Sequence, residues 1–210
     1  AEAPSGRRLE LGIAKDEAVL AFAGELREKK GLTFMLEALR EVKAERPACL
    51  LVIGEVRARE QARLASFAAE HPEAGSRILV TGRLSEQARV VEHLRLADVF
   101  LHPSVWDGLP NAVLEAMACG RIVIGSDAGG IPDCIEHSRN GFLIPRHALH
   151  RLGEAILEVL SLPESERQSL AQAARATVQE RFRPEIEERR LKAVLQRLWV
   201  ESGGSPRTQS

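Results

Sequence analysis

Tyrosine is absent from the 210 residues, and the aromatic complement is six phenylalanines and two tryptophans. So sparse a set excludes an aromatic platform on a sheet for stacking nucleic-acid bases. An excess of one charge sign is also lacking: 29 Lys and Arg against 30 Asp and Glu leave a net charge of −1. No basic patch stands out, so nucleic acid is not an expected partner. Cysteine is confined to Cys49, Cys119 and Cys134, too few and too widely spaced for a disulfide framework or a zinc pattern. Cys49 and Cys119 lie in apolar runs and read as buried, reduced thiols, which fits the cytoplasm. No segment approaches the ~20 apolar residues of a membrane span, and no secretory signal pattern is expected at the start. The opening AEAPSGRRLELG has neither methionine nor a strand pattern and reads as the edge of something longer.

What is present is an ordinary globular balance, 44% apolar and 28% charged residues, in a length that suits one sizeable domain or two small ones. Short apolar runs alternate with longer amphipathic ones. The runs 19–23, 49–53, 78–81, 98–102, 122–124 and 142–144 are β-branched and apolar, as strands buried on both faces must be. Between them, 32–44, 58–70, 86–96 and 111–119 carry helical spacing, as with Leu32, Met35, Leu36, Leu39 and Val42. Strand then helix, repeated, predicts βαβ crossovers and a parallel sheet. Six strands are too few for the eight-stranded barrel, so an open, doubly wound sheet is expected. After residue 146 only helical patterns follow, over 148–160, 163–180 and 184–200. The last has an apolar stripe of Ile186, Leu191, Val194, Leu195 and Leu198 that needs a partner. The tail 201–210 reads as disordered.

Ligands of open parallel sheets bind beyond the carboxyl ends of the strands, and the unusual residues cluster there. Gly24, Lys30 and Gly31 follow the first run, Gly54 the second, Gly82 and Arg83 the third, and Gly125 to Gly130 the fifth. Glycines at strand ends suit a nucleotide or phosphate ligand and equally suit plain turns. The fourth run leads into SVWDGLPNAVLEAMACG. Pro110 suits the first helical position, and the amides of Asn111 and Ala112 then form an anion-binding helix start. Asn111 and Glu115, four apart, share a helix face, with Asp107 before the turn. Carboxylates suit sugar hydroxyls and the amides suit phosphate; alternatively, Asn111 and Glu115 form the wet stripe of a surface helix. Asp127 and Asp133 read as helix caps. His102 reads as a satisfied core histidine, and His93, His147 and His150 read as surface. Trp106 packs beside a ligand or covers its own loop.

The segment D107-GLPNAVL-E115, a carboxylate, seven residues and a glutamate, resembles the signature of the retaining family 4 glycosyltransferases of GT-B fold, in their C-terminal, donor-binding domain. FAGELREKKGLTFMLEAL, LADVFLHPS, CGRIVIGSDAGGIPDCI and NGFLIP resemble the flanking segments in the same order, so the likeness runs from about Leu9 to Trp199. It implies one half of a GT-B fold: a linker and entry segment over 1–17, a Rossmann-like nucleotide-sugar-binding domain over 18–183, and a C-terminal helix over 184–200. It implies that Glu115 holds the ribose hydroxyls and Asp107 the donor sugar. The amides around Gly108, Leu109, Asn111 and Ala112 would lie near sugar and diphosphate, with Gly24 and Glu25 beside them. Lys30 would neutralise the leaving diphosphate, and Gly82, Arg83 and Leu84 would flank the base.

The implied reaction is transfer of a hexose from a UDP- or GDP-sugar to an acceptor hydroxyl with retention, without metal or cofactor. The acceptor domain would lie in a missing N-terminal half, so this chain alone would be inactive. The family's setting implies polysaccharide or glycolipid assembly in the cytoplasm, with peripheral association of the full enzyme at the inner membrane face. A sugar-nucleotide epimerase of the same fold, or a non-catalytic nucleotide-binding scaffold, are the alternatives. Three positions depart from the family pattern: Glu25 stands in an arginine slot, Asp107 stands where glutamate is usual, and Gly54-Glu-Val-Arg replaces a Gly-x-Gly.

Overall fold

A computed structural model of the chain describes residues 5–201. In chain order the elements are α1 (Ser5–Glu10), β1 (Ala18–Ala23), a 3-10 turn (Glu28–Lys30), α2 (Leu32–Glu45), β2 (Ala48–Ile53), α3 (Ala58–Glu70), α4 (Pro72–Gly75), β3 (Ile78–Val80), α5 (Gln87–Leu94) and β4 (Val99–His102). There follow α6 (Asn111–Ala118), β5 (Ile122–Ser126), α7 (Ile131–Cys134), β6 (Phe142–Ile144), a 3-10 segment (Arg146–Arg151), α8 (Leu152–Ser161), α9 (Glu164–Arg181) and α10 (Pro184–Glu201). The strands form one sheet in the order β3-β2-β1-β4-β5-β6, every neighbouring pair parallel. This is the doubly wound Rossmann-like α/β sheet of six strands with C-terminal helices that the alternating pattern predicts.

The strands are continuous apolar runs because both faces are covered. Leu20 and Phe22 of β1, Leu50 and Val52 of β2, Leu101 of β4 and Ile124 of β5 pack with α2 and α8. The intervening Val19, Ala21, Leu51, Phe100 and Val123 belong to the opposite core, with Ala116 and Met117 of α6 and Ala174 of α9. Proline ends several helices. Arg46, before Pro47, is extended at φ −161° and ψ 157°, which closes α2 and opens β2. Pro184 stands at the start of α10.

Several boundaries differ from expectation. The helix expected over 148–160 begins as a 3-10 segment at Arg146 and becomes α only at Leu152. The one expected over 86–96 is confined to Gln87–Leu94. The short α4 and α7 have too few residues to show a hydrophobic period. The expected linker carries α1 and is fastened down: Arg7 donates to Glu92 Oε2 (3.0 Å) and Arg8 to the Ala14 carbonyl (2.9 Å). Of the expected disordered tail, Glu201 closes α10, and 202–210 lie outside the described residues. Leu191, Val194, Leu195 and Leu198 of α10 are 50–59% exposed. Among the described residues no helix is long and apolar enough to cross a membrane.

Glu17 anchors the entry segment beneath β1. Arg77 donates from Nε to its Oε1 and from Nη2 to its Oε2, each at 2.7 Å, and the Ala14 amide donates to Oε2 at 3.1 Å. Burial opposes ionisation of Glu17, yet these bonds prevail and hold its carboxyl below the usual range. A depressed folded value gives stability that is present above the unfolded pKa and lost as pH falls through the folded one. Arg77→Met leaves the carboxylate buried and unpaired. Urea unfolding at pH 7 should show a loss of about 3 kcal/mol. The gap to wild type should narrow as pH falls towards about 4, where the variant's Glu17 is protonated; an unchanged gap would assign the loss to packing.

Candidate functional site

The strand order reverses between β1 and β4, and there a groove opens along the carboxyl edge of the sheet. It has two adjoining lobes of about 320 and 370 Å³, which share Ala23, Gly24, Glu25 and Ala112. Gly54, Arg83, Leu84, Gln87 and Glu115 line the first lobe. Arg27, Lys29, Lys30, His102 and Asn111 line the second.

Helix α6 supplies the ridge between them. It buries Val113, Ala116 and Met117 on its core side, which leaves the face with Asn111 and Glu115 to the groove. Pro110 is the N-cap, one residue earlier than the spacing suggests, at φ −81° and ψ 114°. The first bonds of the helix run from Val113 and Leu114 to the Pro110 carbonyl, so the amides of Asn111 and Ala112 lie ahead of the hydrogen-bonded ladder, at its positive end. Glu115 lies along the first lobe and accepts from Gln87 Nε2 at 3.3 Å.

Lys30 comes from the loop after β1 and reaches across the reversal. Its Nζ donates to Asp107 Oδ2 at 2.5 Å. The same oxygen faces His102 Nε2 at 2.7 Å and accepts from Ser104 Oγ at 3.1 Å, while Oδ1 accepts from the Gly108 amide at 2.9 Å. Burial works against the charge on Asp107, but the bonds from His102 and Lys30 outweigh it and hold the carboxyl well below the usual range. Asp107 therefore lies behind the groove wall with both oxygens engaged by the chain. Gly82, Gly108 and Leu109 belong to the neighbouring loops rather than to either lobe, and Leu109 is 43% exposed. The remaining expected residues, Gly24, Glu25, Lys30, Arg83, Leu84, Asn111, Ala112 and Glu115, all line the groove.

The loops approach closely enough to require glycine. Gly31 has φ +88°, and a Cβ there would stand 2.2 Å from the Pro103 carbonyl oxygen. Gly129 has φ +54°, and its Cβ would stand 1.9 Å from the Asp107 carbonyl oxygen. A backbone bond from Val105 N to Lys29 O (2.9 Å) joins the Lys30 loop to the Asp107 loop.

Glu25 is not a bare carboxylate in an arginine slot. Arg27 and Arg57 both donate to it, and those bonds, Arg27's first, lower its pKa. Arg57 stands three residues past Gly54, where the glycine pattern is eroded.

Four sequence expectations change. His102 is buried with Nε2 on Asp107, and among the described residues Nδ1 has no partner. Its place at the carboxyl end of β4, five residues before Asp107, was the available signal. His93 is 3% exposed, with Nδ1 at 2.7 Å from the Arg89 carbonyl, not on the surface. Asp127 accepts from the Arg146 amide and Nε instead of capping a helix, and Asp133 lies within α7, whose start has no side-chain cap. Trp106 is 68% exposed with Lys29 Nζ 5.2 Å from its ring centre. Among the described residues no group of three or more His, Cys, Asp or Glu is placed to hold a metal ion.

Sheet order and groove define the class, a Rossmann-like α/β domain with its groove at the switch point. The chain belongs to the family of glycosyl transferases group 1, whose model matches residues 7–177. It is 34% identical over 183 residues to the amylovoran biosynthesis glycosyltransferase AmsK of Erwinia amylovora, covering 82% of this chain and 43% of AmsK. The C-terminal domain of the glycosyl transferase LpcC from Francisella tularensis has the same fold, with a TM-score of 0.72 at 22% identity, over 87% of this chain and 96% of that domain. Anabaena Alr3699/HepE, solved in complex with UDP-glucose, gives a TM-score of 0.78 at 22% identity, over 91% of this chain and 52% of HepE. The chain thus spans less than half the length of AmsK and about half of HepE.

Gly31→Ala should pull the Lys30 loop away from Pro103. The left-handed backbone alone costs about 1–2 kcal/mol, and the clash adds to it, so urea unfolding should show a loss of about 3 kcal/mol. A near-neutral result would mean that the two loops move apart freely.

Proposed function

We propose that this domain binds the UDP- or GDP-sugar donor of a retaining, family 4 hexosyltransferase. One observation carries the reading: a single groove at the strand-order reversal has a cation and a helix N-terminus at one end and a carboxylate at the other. A sugar nucleotide presents the complementary groups, an anionic diphosphate and the paired hydroxyls of a ribose. Glu115 accepts hydrogen bonds from the ribose, and Gly82, Arg83 and Leu84 flank the base. Lys30 and the amides of Asn111 and Ala112 take the diphosphate, next to Gly24 and Glu25. The sugar lies towards the amides after Gly108 and Leu109. Asp107 acts from behind, by holding Lys30.

In the transfer step the bond between the anomeric carbon and the diphosphate oxygen breaks, and its electron pair leaves with the diphosphate. The acceptor hydroxyl bonds to the same face of the carbon, and its proton passes to the departing diphosphate oxygen. Negative charge grows on the departing diphosphate, and a fixed ammonium with helix-start amides stabilises it more in the transition state than in the ground state. Those groups do the work a metal would do, so the proposal is metal- and cofactor-independent. The acceptor domain belongs to the remainder of a longer protein, and this chain alone should bind donor without appreciable transfer. The full enzyme would serve polysaccharide assembly in the cytoplasm, at the inner membrane face.

The test is a thermal-shift panel of UDP, GDP, ADP and their sugars. A ligand at 100 times its dissociation constant adds ~2.7 kcal/mol, several degrees at ~2–4 °C per kcal/mol. A shift selective for one base is expected; none with any nucleotide would sink the reading. Lys30→Met should weaken diphosphate ligands about 10- to 100-fold and leave the bare nucleoside unchanged. Glu115→Gln should weaken nucleoside and nucleotide alike.

Glu25 stands at the junction of the lobes, close to the diphosphate, and competes with it for Arg27 and Arg57. Glu25→Gln keeps the shape and removes the repulsion. Donor affinity by titration calorimetry should rise about threefold or more at low salt, and less at high salt. A fall instead would make Glu25 a ligand contact.

A further inference from the structure

The imidazole of His102 is 2% exposed and lines the groove beside Lys30. Its ring lies nearly parallel to that of Phe22, 11° between planes with centres 6.1 Å apart, Phe22 being the penultimate residue of β1 and His102 the last of the neighbouring β4. Nε2 sits 2.7 Å from Asp107 Oδ2. Asp107 is ionised, so this nitrogen carries a proton and donates. Nδ1 finds no partner among the described residues. A histidine serving the core alone would satisfy both nitrogens. This one leaves Nδ1 bare and commits Nε2 to the oxygen that Lys30 also holds.

We propose that His102 is a positioning residue for donor binding: by donating to Asp107 Oδ2 it fixes the carboxylate that in turn fixes the Lys30 ammonium at the groove wall. The inference rests on the donor reading above and adds a residue to it. Three elements converge on one oxygen. Lys30 arrives from the β1 loop, His102 from the end of β4, and Ser104 from the turn after β4. Without the His102 donor the carboxylate keeps only the Ser104 hydroxyl (3.1 Å) and the Gly108 amide (2.9 Å) to orient it, its hold on the Lys30 ammonium loosens, and the flexible lysine stem follows. The stacked His102 ring, wedged on Phe22, is the stiff member of the three.

The experiment is titration calorimetry on the full 210-residue chain, with UDP-glucose and GDP-mannose as probes and uridine and guanosine as controls. His102→Phe keeps a flat ring on Phe22 and removes the donor; His102→Gln puts an amide N–H where Nε2 was. His102→Phe should weaken the sugar nucleotide about tenfold and leave the nucleoside unchanged, and His102→Gln should stay within about twofold of wild type. In a Lys30→Met background, His102→Phe should cost nothing further, because the two act through one oxygen. Losses that add, equal loss of nucleoside binding, or failure of His102→Gln to rescue would each overturn the role.

If His102→Phe does not fold, long-range ¹H–¹⁵N spectra of the wild-type chain decide. Nε2 should carry a proton, and a ring whose Nε2 is unprotonated would overturn the proposal. A wild-type chain that binds neither sugar nucleotide overturns the donor reading itself, an outcome distinct from binding with additive losses.

Discussion

A parallel sheet covered on both faces leaves its polar chemistry only one place to go, the strand ends. In this chain β1 and β2 are buried at every residue, so no side chain along them can carry a charge without an uncompensated desolvation cost. The loops beyond the carboxyl ends must then supply every functional group. The reversal of strand order between β1 and β4 separates the flanking crossovers and leaves a groove instead of a packed seam. Lys30, Glu25, Asp107, Arg83 and Glu115 all follow from that constraint. They come from the β1, β3 and β4 loops and the helix after β4, and they meet because the strands beneath them are adjacent and in register.

Within the groove the charges are arranged in pairs before any ligand arrives. Lys30 rests on Asp107, and Glu25 lies between Arg27 and Arg57. Such prearrangement lowers the freedom that the cations would otherwise lose on binding an anion. The two pairs differ in kind. Asp107 is 12% exposed and reinforced by His102 and Ser104, so its hold on Lys30 is a fixed feature of the wall. Glu25 is 34% exposed at the open junction of the lobes, where solvent and salt weaken its grip. The groove therefore presents an ammonium fixed by a shielded carboxylate and, at the lobe junction, the Arg27 guanidinium held by a more exposed one.

Backbone geometry at the loops has equal weight. Gly31 and Gly129 allow the β1 and β5 loops to press against the segment from Pro103 to Gly108. The loop bearing Asp107 is therefore clamped from two sides, and its side chain is turned inward. A methyl group at either glycine would push the loops apart by more than the length of a hydrogen bond's tolerance, since the close contacts are to backbone oxygen, which cannot rotate away.

The sequence by itself determined the architecture, because the alternation of short apolar runs with amphipathic segments has only the doubly wound parallel sheet as a low-energy outcome. All six strands lie where their apolar runs predict. It also determined the groove's main residues, since strand-end position and the D107–E115 spacing need no distant contact to be read. Tertiary structure decided which of those residues line the groove and which face one another. The family resemblance implies a sugar contact for Asp107, and packing brings it Lys30 from 77 positions away. His102 reads as core from its apolar strand, yet among the described residues its neighbours engage one nitrogen and leave the other without a partner. Glu25 reads as a lost cation, yet Arg57 arrives from 32 positions away to pair with it. Hydrophobic periodicity is local and survives in one dimension. The partner of a polar side chain is set by where the sheet order places the next loop, and that becomes visible only when the strands have closed.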